Sequence, residues 1–239
     1  LEKGANGSLR FISKYGVGLD KIDLVAAKEL GIPVTNCPGV NQIAVAEHVL
    51  AMIFSFSKNI HLSHEITSQG GWKRPLGNEL FGKKIGIIGL GAIGKELAKR
   101  TPFLGMETYV FDVNPDIDFI KANDLSALES VEDILKTCDI VSMHVPLLDS
   151  TKGMITMKLL EECAKRGLVL VNTSRAGLIN EQEIIDSIHQ GILGGYLTDV
   201  LSVEPMERTC LLLDQPGILI TPHVGSRTKE TIQRQGSMA

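Results

Sequence analysis

The stretch Lys84-Ile85-Gly86-Ile87-Ile88-Gly89-Leu90-Gly91-Ala92-Ile93-Gly94 decides the fold. Lys84–Ile88 has the length and unbroken hydrophobicity of a strand buried on both faces. Three glycines follow at the spacing GxGxxG, and a helix-period segment, Ala92–Leu104, opens inside them. In that setting the first glycine permits a tight turn and the second lets the backbone approach a diphosphate. The third lets helix and strand pack closely. The helix N-terminus adds N–H groups and the positive end of its dipole for the phosphate charge. In a chain with 24 glycines the motif alone is weak; its place between strand and helix gives it weight.

Working outward, the run Glu107–Phe111 ends in Asp112, 23 residues beyond Gly89. An acid there bonds the adenosine ribose hydroxyls and repels a 2′-phosphate, which favours NAD over NADP. The plainer alternative is a solvent-facing turn aspartate, helped by Asn114-Pro115. Strand, glycine loop, helix, strand and terminal acid occur in one order, and that order carries the NAD reading.

Further apolar runs follow at Asp139–Val145, Leu168–Asn172, Gly194–Val200 and Ile218–Thr221. Helix-period segments Leu128–Lys136, Met157–Lys165 and Glu181–Gln190 lie among them. This alternation predicts an α/β fold, a Rossmann-type doubly wound parallel sheet covered on both faces. Upstream, Leu9–Ser13, Ile22–Leu30 and Ile32–Asn36 read as strand, helix and strand, a piece of a second α/β layer too small to bury a core alone. Ala44–His61 reads as one long connecting helix, and a new helical pattern begins at Thr228. The expected organisation is a partial second domain at 1–43, the dinucleotide-binding domain at 44–226, and a returning helix starting at 227–239. With Leu1 in place of an initiator Met and a helix just begun at the other end, both ends read as cuts.

Composition is that of a soluble globular protein: 44% hydrophobic, 22% charged, net charge −4. With no basic run and only 5% aromatic residues, nucleic acid is not an expected partner. The N-terminus carries no apolar targeting core, and Ala44–Phe56 is too short and too interrupted to span a bilayer, so no membrane is expected. Cys37, Cys138, Cys163 and Cys210 form no CxxC pair and suggest neither disulfides nor zinc; a reducing, cytoplasmic setting is expected. His61 and His64 lack a third ligand, so no metal is expected.

Ligands of open α/β sheets sit beyond the carboxyl ends of the strands. Three polar residues fall there: Arg175 after Leu168–Asn172, Glu204 after Gly194–Val200, and His223 after Ile218–Thr221. Each has a bland reading alone: a surface arginine, a loop charge before proline, a turn histidine. Together they supply what carbonyl reduction by hydride needs. An imidazole donates a proton to the developing alkoxide, a carboxylate orients the imidazole, and a guanidinium holds a substrate carboxylate. His144, before Pro146, reads as a backbone-defining position, Cys138 as a small buried residue, and Trp72 as a plug at the domain junction.

The chain resembles the D-isomer specific 2-hydroxyacid dehydrogenase family, especially its phosphoglycerate dehydrogenase-like members. The matching stretches are Lys14–Asp20, Val45–His48, Gly86–Gly94, His144–Leu147, Asn172–Gly177 and Thr221–Ser226, in family order over nearly the whole chain. The resemblance implies a flavodoxin-like α/β substrate domain, of which part is present. It implies His223 as acid/base, Glu204 as its partner and Arg175 as the substrate-binding arginine, with Val17 and Gly18 offering backbone N–H groups to the substrate carboxylate. Besides Gly89, Gly91 and Gly94, it places Ala92, Ile93, Asp112, Val145, Pro146, Thr151, Thr173, Ser174, Arg175, Asp199, His223 and Gly225 along NAD, with Asp199 near the carboxamide. It also implies a small 2-hydroxy or 2-keto acid substrate, 3-phosphoglycerate-like first, and a homodimer formed through the Ala44–His61 helix. Ala92 departs from the Arg or His that many members carry beside the diphosphate. A non-catalytic NAD(H)-sensing scaffold, like the family's corepressor relatives, is the alternative.

Overall fold

The computed structural model describes Gly4 and residues 7–239. The N-terminal stretch read as lacking a targeting core lies mostly outside them. The chain forms two compact units, Val45–Gly225 and Leu1–Ala44 with Ser226–Ala239.

The larger unit is built on a seven-stranded, all-parallel sheet. Its strands are β3 (Lys84–Ile88), β4 (Glu107–Phe111), β5 (Ser126–Ala127), β6 (Ile140–Met143), β7 (Leu168–Asn172), β8 (Leu193–Thr198) and β9 (Ile218–Ile220), in the order β5-β4-β3-β6-β7-β8-β9. The chain runs outward from β3 through β4 to β5, then crosses back to β6 on the other side of β3. The carboxyl ends of β3 and β6 therefore flank the topological switch point, where such sheets bind ligands.

Strand alternation divides the core between the two faces. Ile85 and Ile87 of β3, Val169 and Val171 of β7, and Leu197 of β8 pack with Ala46, Val49, Met52 and Ile53 of α2 (Gln42–Ser57) and Leu97 and Ala98 of α4 (Ala92–Arg100). Ile88, Leu168, Leu170 and Tyr196 turn the other way. They meet α6 (Val131–Thr137), α7 (Met157–Cys163) and α8 (Glu181–His189) through Ile134, Leu135, Leu160, Ile184 and Ile185. Burying such side chains stabilises the fold by roughly 1.5–3 kcal/mol each. Side-chain caps start these helices: Ser130, Thr156 and Asn180 accept the N–H of Asp133, Leu159 and Glu183.

The expected helix Ala44–His61 is two helices. α2 ends at Ser57, and α3 (Ile60–Ser68) leaves at 62° to it. Asn59 interrupts them in the left-handed region, φ 52°, which Asn tolerates better than most residues, and its side chain donates to Leu76 O at 2.9 Å. The segment after β4 also holds a helix, α5 (Ile117–Ala122), capped by Asp116, and the short edge strand β5. Trp72, expected to be a plug, is 85% exposed. Among the described residues, no single helix is long and apolar enough to cross a membrane.

The smaller unit pairs β1 (Ile12–Ser13) with β2 (Val34–Thr35) in parallel through α1 (Leu24–Glu29). The C-terminal helix α9 (Lys229–Met238), capped by Thr228, belongs to this unit: Arg234 Nε donates to Val40 O and Tyr15 Oη to Ile232 O.

Candidate active site

At the switch point the glycine loop is held by contacts that no other residue would allow. Gly89 has φ 96°, and a Cβ there would stand 2.6 Å from His144 O on the neighbouring strand end. A Cβ on Gly94 would collide with Gly89 O, so loop and helix close on each other only through two glycines. Gly91 differs. A Cβ there would meet nothing within 4 Å, and Gly91 starts α4 with no side-chain cap. The first N–H groups of the helix thus face open space beside bare backbone, a cradle for an anionic group.

Asp112, at the end of β4, borders this cradle. Its Oδ2 accepts Leu90 N at 2.6 Å and its Oδ1 accepts Asn114 N at 2.8 Å, which fixes the carboxylate against the glycine loop. At the ends of β6 and β7, two buried polar atoms have no partner: His144 Nδ1 and Thr173 Oγ1. Such atoms are costly unless something satisfies them. Burial lowers the His144 pKa to about 4, so the ring is neutral at pH 7. Glycine cradle, fixed acid and orphaned strand-end atoms together fit a dinucleotide lying across the switch point.

The remaining expected cofactor positions follow the carboxyl ends of neighbouring strands of the same sheet. Val145 and Pro146 follow β6, and Thr151 closes their turn by donating to Pro146 O at 2.7 Å. Asn172, fully buried, shapes the turn after β7: its Oδ1 accepts Ser174 N and its Nδ2 donates to Arg175 O. Ser174 Oγ is engaged by Met143 O at 2.7 Å. Ala92 is exposed at the start of α4 and Ile93 half-buried behind it. Val17 and Gly18 lie in the smaller unit, where Asn36 Nδ2 donates to Val17 O.

His223 and Glu204, expected to work together, are in contact. His223 Nδ1 lies 2.8 Å from Glu204 Oε2, and Glu204 Oε1 accepts Leu201 N at 3.0 Å, so its own loop holds the carboxylate. His223 adopts φ 53°, the left-handed region that non-glycine residues seldom occupy. Such backbone persists only where the surroundings enforce it. Arg175, at the end of β7, stands two strands from His223 in the sheet order.

The enforcement comes from Asp199, just past β8 and only 2% exposed. Its Oδ1 accepts Thr221 Oγ1 (2.6 Å) and Val224 N (2.9 Å), and its Oδ2 accepts Gly225 N (2.8 Å). Both residues following His223 are thereby tied to one carboxylate. Burial acts to raise the Asp199 pKa, but hydrogen bonds from His48, Thr221, Val224 and Gly225 outweigh it and hold the carboxyl below its usual range. The residue reading missed this clamp: an acid inside an apolar run was its sole signal.

Comparison with known proteins places this geometry. Residues 50–225 match the model of the D-isomer specific 2-hydroxyacid dehydrogenase NAD binding domain. D-3-phosphoglycerate dehydrogenase of Bacillus subtilis is 36% identical, over 93% of this chain and 42% of that protein. The chain thus spans less than half of that relative. Hydroxypyruvate reductase of Thermotoga maritima is 35% identical over 99% of this chain and 76% of its own length. (S)-sulfolactate dehydrogenase of Chromohalobacter salexigens is 34% identical over 95% and 74%. Among solved structures, the TT0316 protein of Thermus thermophilus superposes with TM-score 0.85 at 33% identity, covering 95% of this chain and 72% of that one. The chain belongs to the D-isomer specific 2-hydroxyacid dehydrogenase family and contains its NAD binding domain.

Proposed function

We propose that the chain is part of an NAD-dependent oxidoreductase interconverting a small D-2-hydroxy acid and its 2-keto acid. The observation that carries the reading is the His223–Glu204 contact of 2.8 Å at the strand-end crevice that holds the glycine loop. Bound NAD supplies or accepts the hydride. His223 turns Nε2 toward substrate while Glu204 fixes Nδ1, and it delivers a proton to the carbonyl oxygen in reduction or takes one from the hydroxyl in oxidation. Arg175 binds the substrate carboxylate and polarises the carbonyl. The resemblance alone assigns the backbone N–H groups of Val17 and Gly18, in the smaller unit, to substrate binding. Gly89, Gly91, Ala92, Ile93 and Gly94 hold the diphosphate, and Asp112 the adenosine ribose. Val145, Pro146, Thr151, Thr173, Ser174, Asp199 and Gly225 line the rest of the cofactor. A sensing scaffold would need no acid/base pair, and its retention favours catalysis.

Residues 45–225 serve the cofactor in this reading, and the smaller unit the substrate. The relatives are named for different acids that share one functional group, so the class is a 2-hydroxy acid, with a 3-phosphoglycerate-like acid our first candidate. The four free thiols support a reducing compartment such as the cytoplasm.

The test follows NADH absorbance with 3-phosphohydroxypyruvate, hydroxypyruvate, glyoxylate and pyruvate, alongside NADH binding. His223→Gln is expected to lower turnover about a hundredfold or more while NADH still binds. Full turnover in that variant would refute the assignment, and failure of the chain to bind NADH would remove the cofactor reading itself.

A further inference from the structure

His48, in the larger unit, has a placement that the mechanism above leaves unused. It sits on α2, far in sequence from the strand ends, yet its Nε2 lies 2.9 Å from Thr221 Oγ1 and 3.5 Å from Asp199 Oδ1. The donors can be assigned. An ionised Asp199 only accepts, so the Thr221 hydroxyl proton goes to Asp199 at 2.6 Å. Thr221 Oγ1 must then accept from His48, which places a proton on His48 Nε2. Gly225 supports the fit from the other side: a Cβ there would stand 2.9 Å from Asp199 Oδ2 and 3.3 Å from His48 Cδ2. Only glycine lets the His223 turn close onto the ring and the carboxylate together. One helical turn beyond His48, Met52 brings its Sδ to 3.9 Å from Thr221 Oγ1, so α2 backs this hydroxyl at two positions.

We propose that His48 is a positioning residue for His223: its Nε2–H fixes Thr221 and Asp199, and Asp199 in turn holds Val224 and Gly225 and the left-handed turn between them and β9. Removing the donor leaves Thr221 free to rotate and Asp199 short of one stabilising partner, and the turn opens more often. The inference rests on His223 being the acid/base group, but its first readout does not.

Amide hydrogen exchange at Val224 and Gly225 reports the turn without substrate or cofactor. His48→Leu is expected to speed exchange at these two amides by about threefold to tenfold, the span for losing a neutral hydrogen bond. Amides of β3 and β4 keep their rates. His48→Gln, which keeps an N–H donor at similar reach, is expected to restore most of the protection. In turnover, His48→Leu lowers kcat by a similar factor with a smaller change in the KM for NADH, and Gln recovers it. Unchanged exchange at Val224 and Gly225 in His48→Leu overturns the proposal. So does equal acceleration in the Leu and Gln variants, or acceleration spread evenly over the sheet, since each reduces His48 to a packing residue. If exchange responds as expected but His223→Gln retains turnover, the clamp stands and the assignment of His223 falls.

Discussion

At the scale of residues, His144 shows how burial becomes a measurable property. Its Nε2 meets Ser142 Oγ at 2.9 Å, its Nδ1 has no partner, and burial takes its pKa from 6.5 to about 4. In the unfolded chain the same ring accepts a proton near 6.5. Between these values the unfolded state binds more protons than the folded one, so lowering the pH favours unfolding. The contribution to stability is complete above about pH 6.5 and disappears as pH falls toward 4, a loss on the order of 2–3 kcal/mol. The lowered carboxyls of Asp199, Asp139 and Glu96 act by the same sign, but their loss begins only as pH falls into the ordinary carboxylate range, so His144 dominates above it. Urea unfolding from pH 7 to pH 4 should show this slope, and His144→Asn should flatten it. Equal slopes in both proteins would exclude His144 as the source. NADH should protect the histidine form, since a bound dinucleotide gives the orphaned atoms company.

At the scale of elements, the strand–loop–helix unit β3–α4 separates two roles that sequence assigns to glycine without distinction. Gly94 is structural, because any Cβ there meets Gly89 O. Gly91 is open, with φ −72° and ψ −166°, a conformation alanine adopts without strain. Gly94→Ala is therefore expected to destabilise the larger unit by about 1–3 kcal/mol, as overpacking does, and to weaken NADH binding along with it. Gly91→Ala should leave the melting temperature within about 1–2 °C of wild type, because the new methyl meets no protein atom. It should nonetheless weaken NADH binding about tenfold or more, because the methyl occupies the space where a diphosphate would lie. Calorimetry and NADH titration read the two effects apart. Tight NADH binding by Gly91→Ala would mean that the diphosphate does not cross this backbone.

At the scale of the molecule, sequence patterning read the sheet well because parallel strands buried on both faces leave continuous apolar runs. Lys84–Ile88, Glu107–Phe111 and Leu168–Asn172 appear with the expected bounds. The edge was harder to read: β5 has two residues, both exposed, and carries no hydrophobic signal. The break at Asn59 was hidden because apolar periodicity runs through it, and only the backbone shows the left-handed residue. The strand-end positions of the glycine loop, Asp112, Arg175, Glu204 and His223 were legible from order alone, and the roles proposed for the last three come from those positions and the resemblance. The Asp199 clamp and His48 were not, since their meaning lies in contacts that only the fold brings together, 22–26 positions apart for the clamp and more than 150 for His48. The homodimer that the resemblance implies through the Ala44–His61 helix stays a proposal. The apolar side chains Ala46, Val49, Met52 and Ile53 of α2 are buried within the chain, whereas Trp72, Leu76, Phe81 and Phe103 are 79–95% exposed. Of these, the aromatic side chains Trp72, Phe81 and Phe103 are of the kind that dominates interface energies. We propose that these side chains, on the segment after α3 and at Phe103 beyond α4, add to the contact with a second copy. Light scattering of the eluting protein should give a dimer mass, and Trp72→Asp combined with Phe103→Asp should give a monomer that still binds NADH. A wild-type monomer at all concentrations would remove the dimer, and a double variant that stays dimeric would move its interface elsewhere.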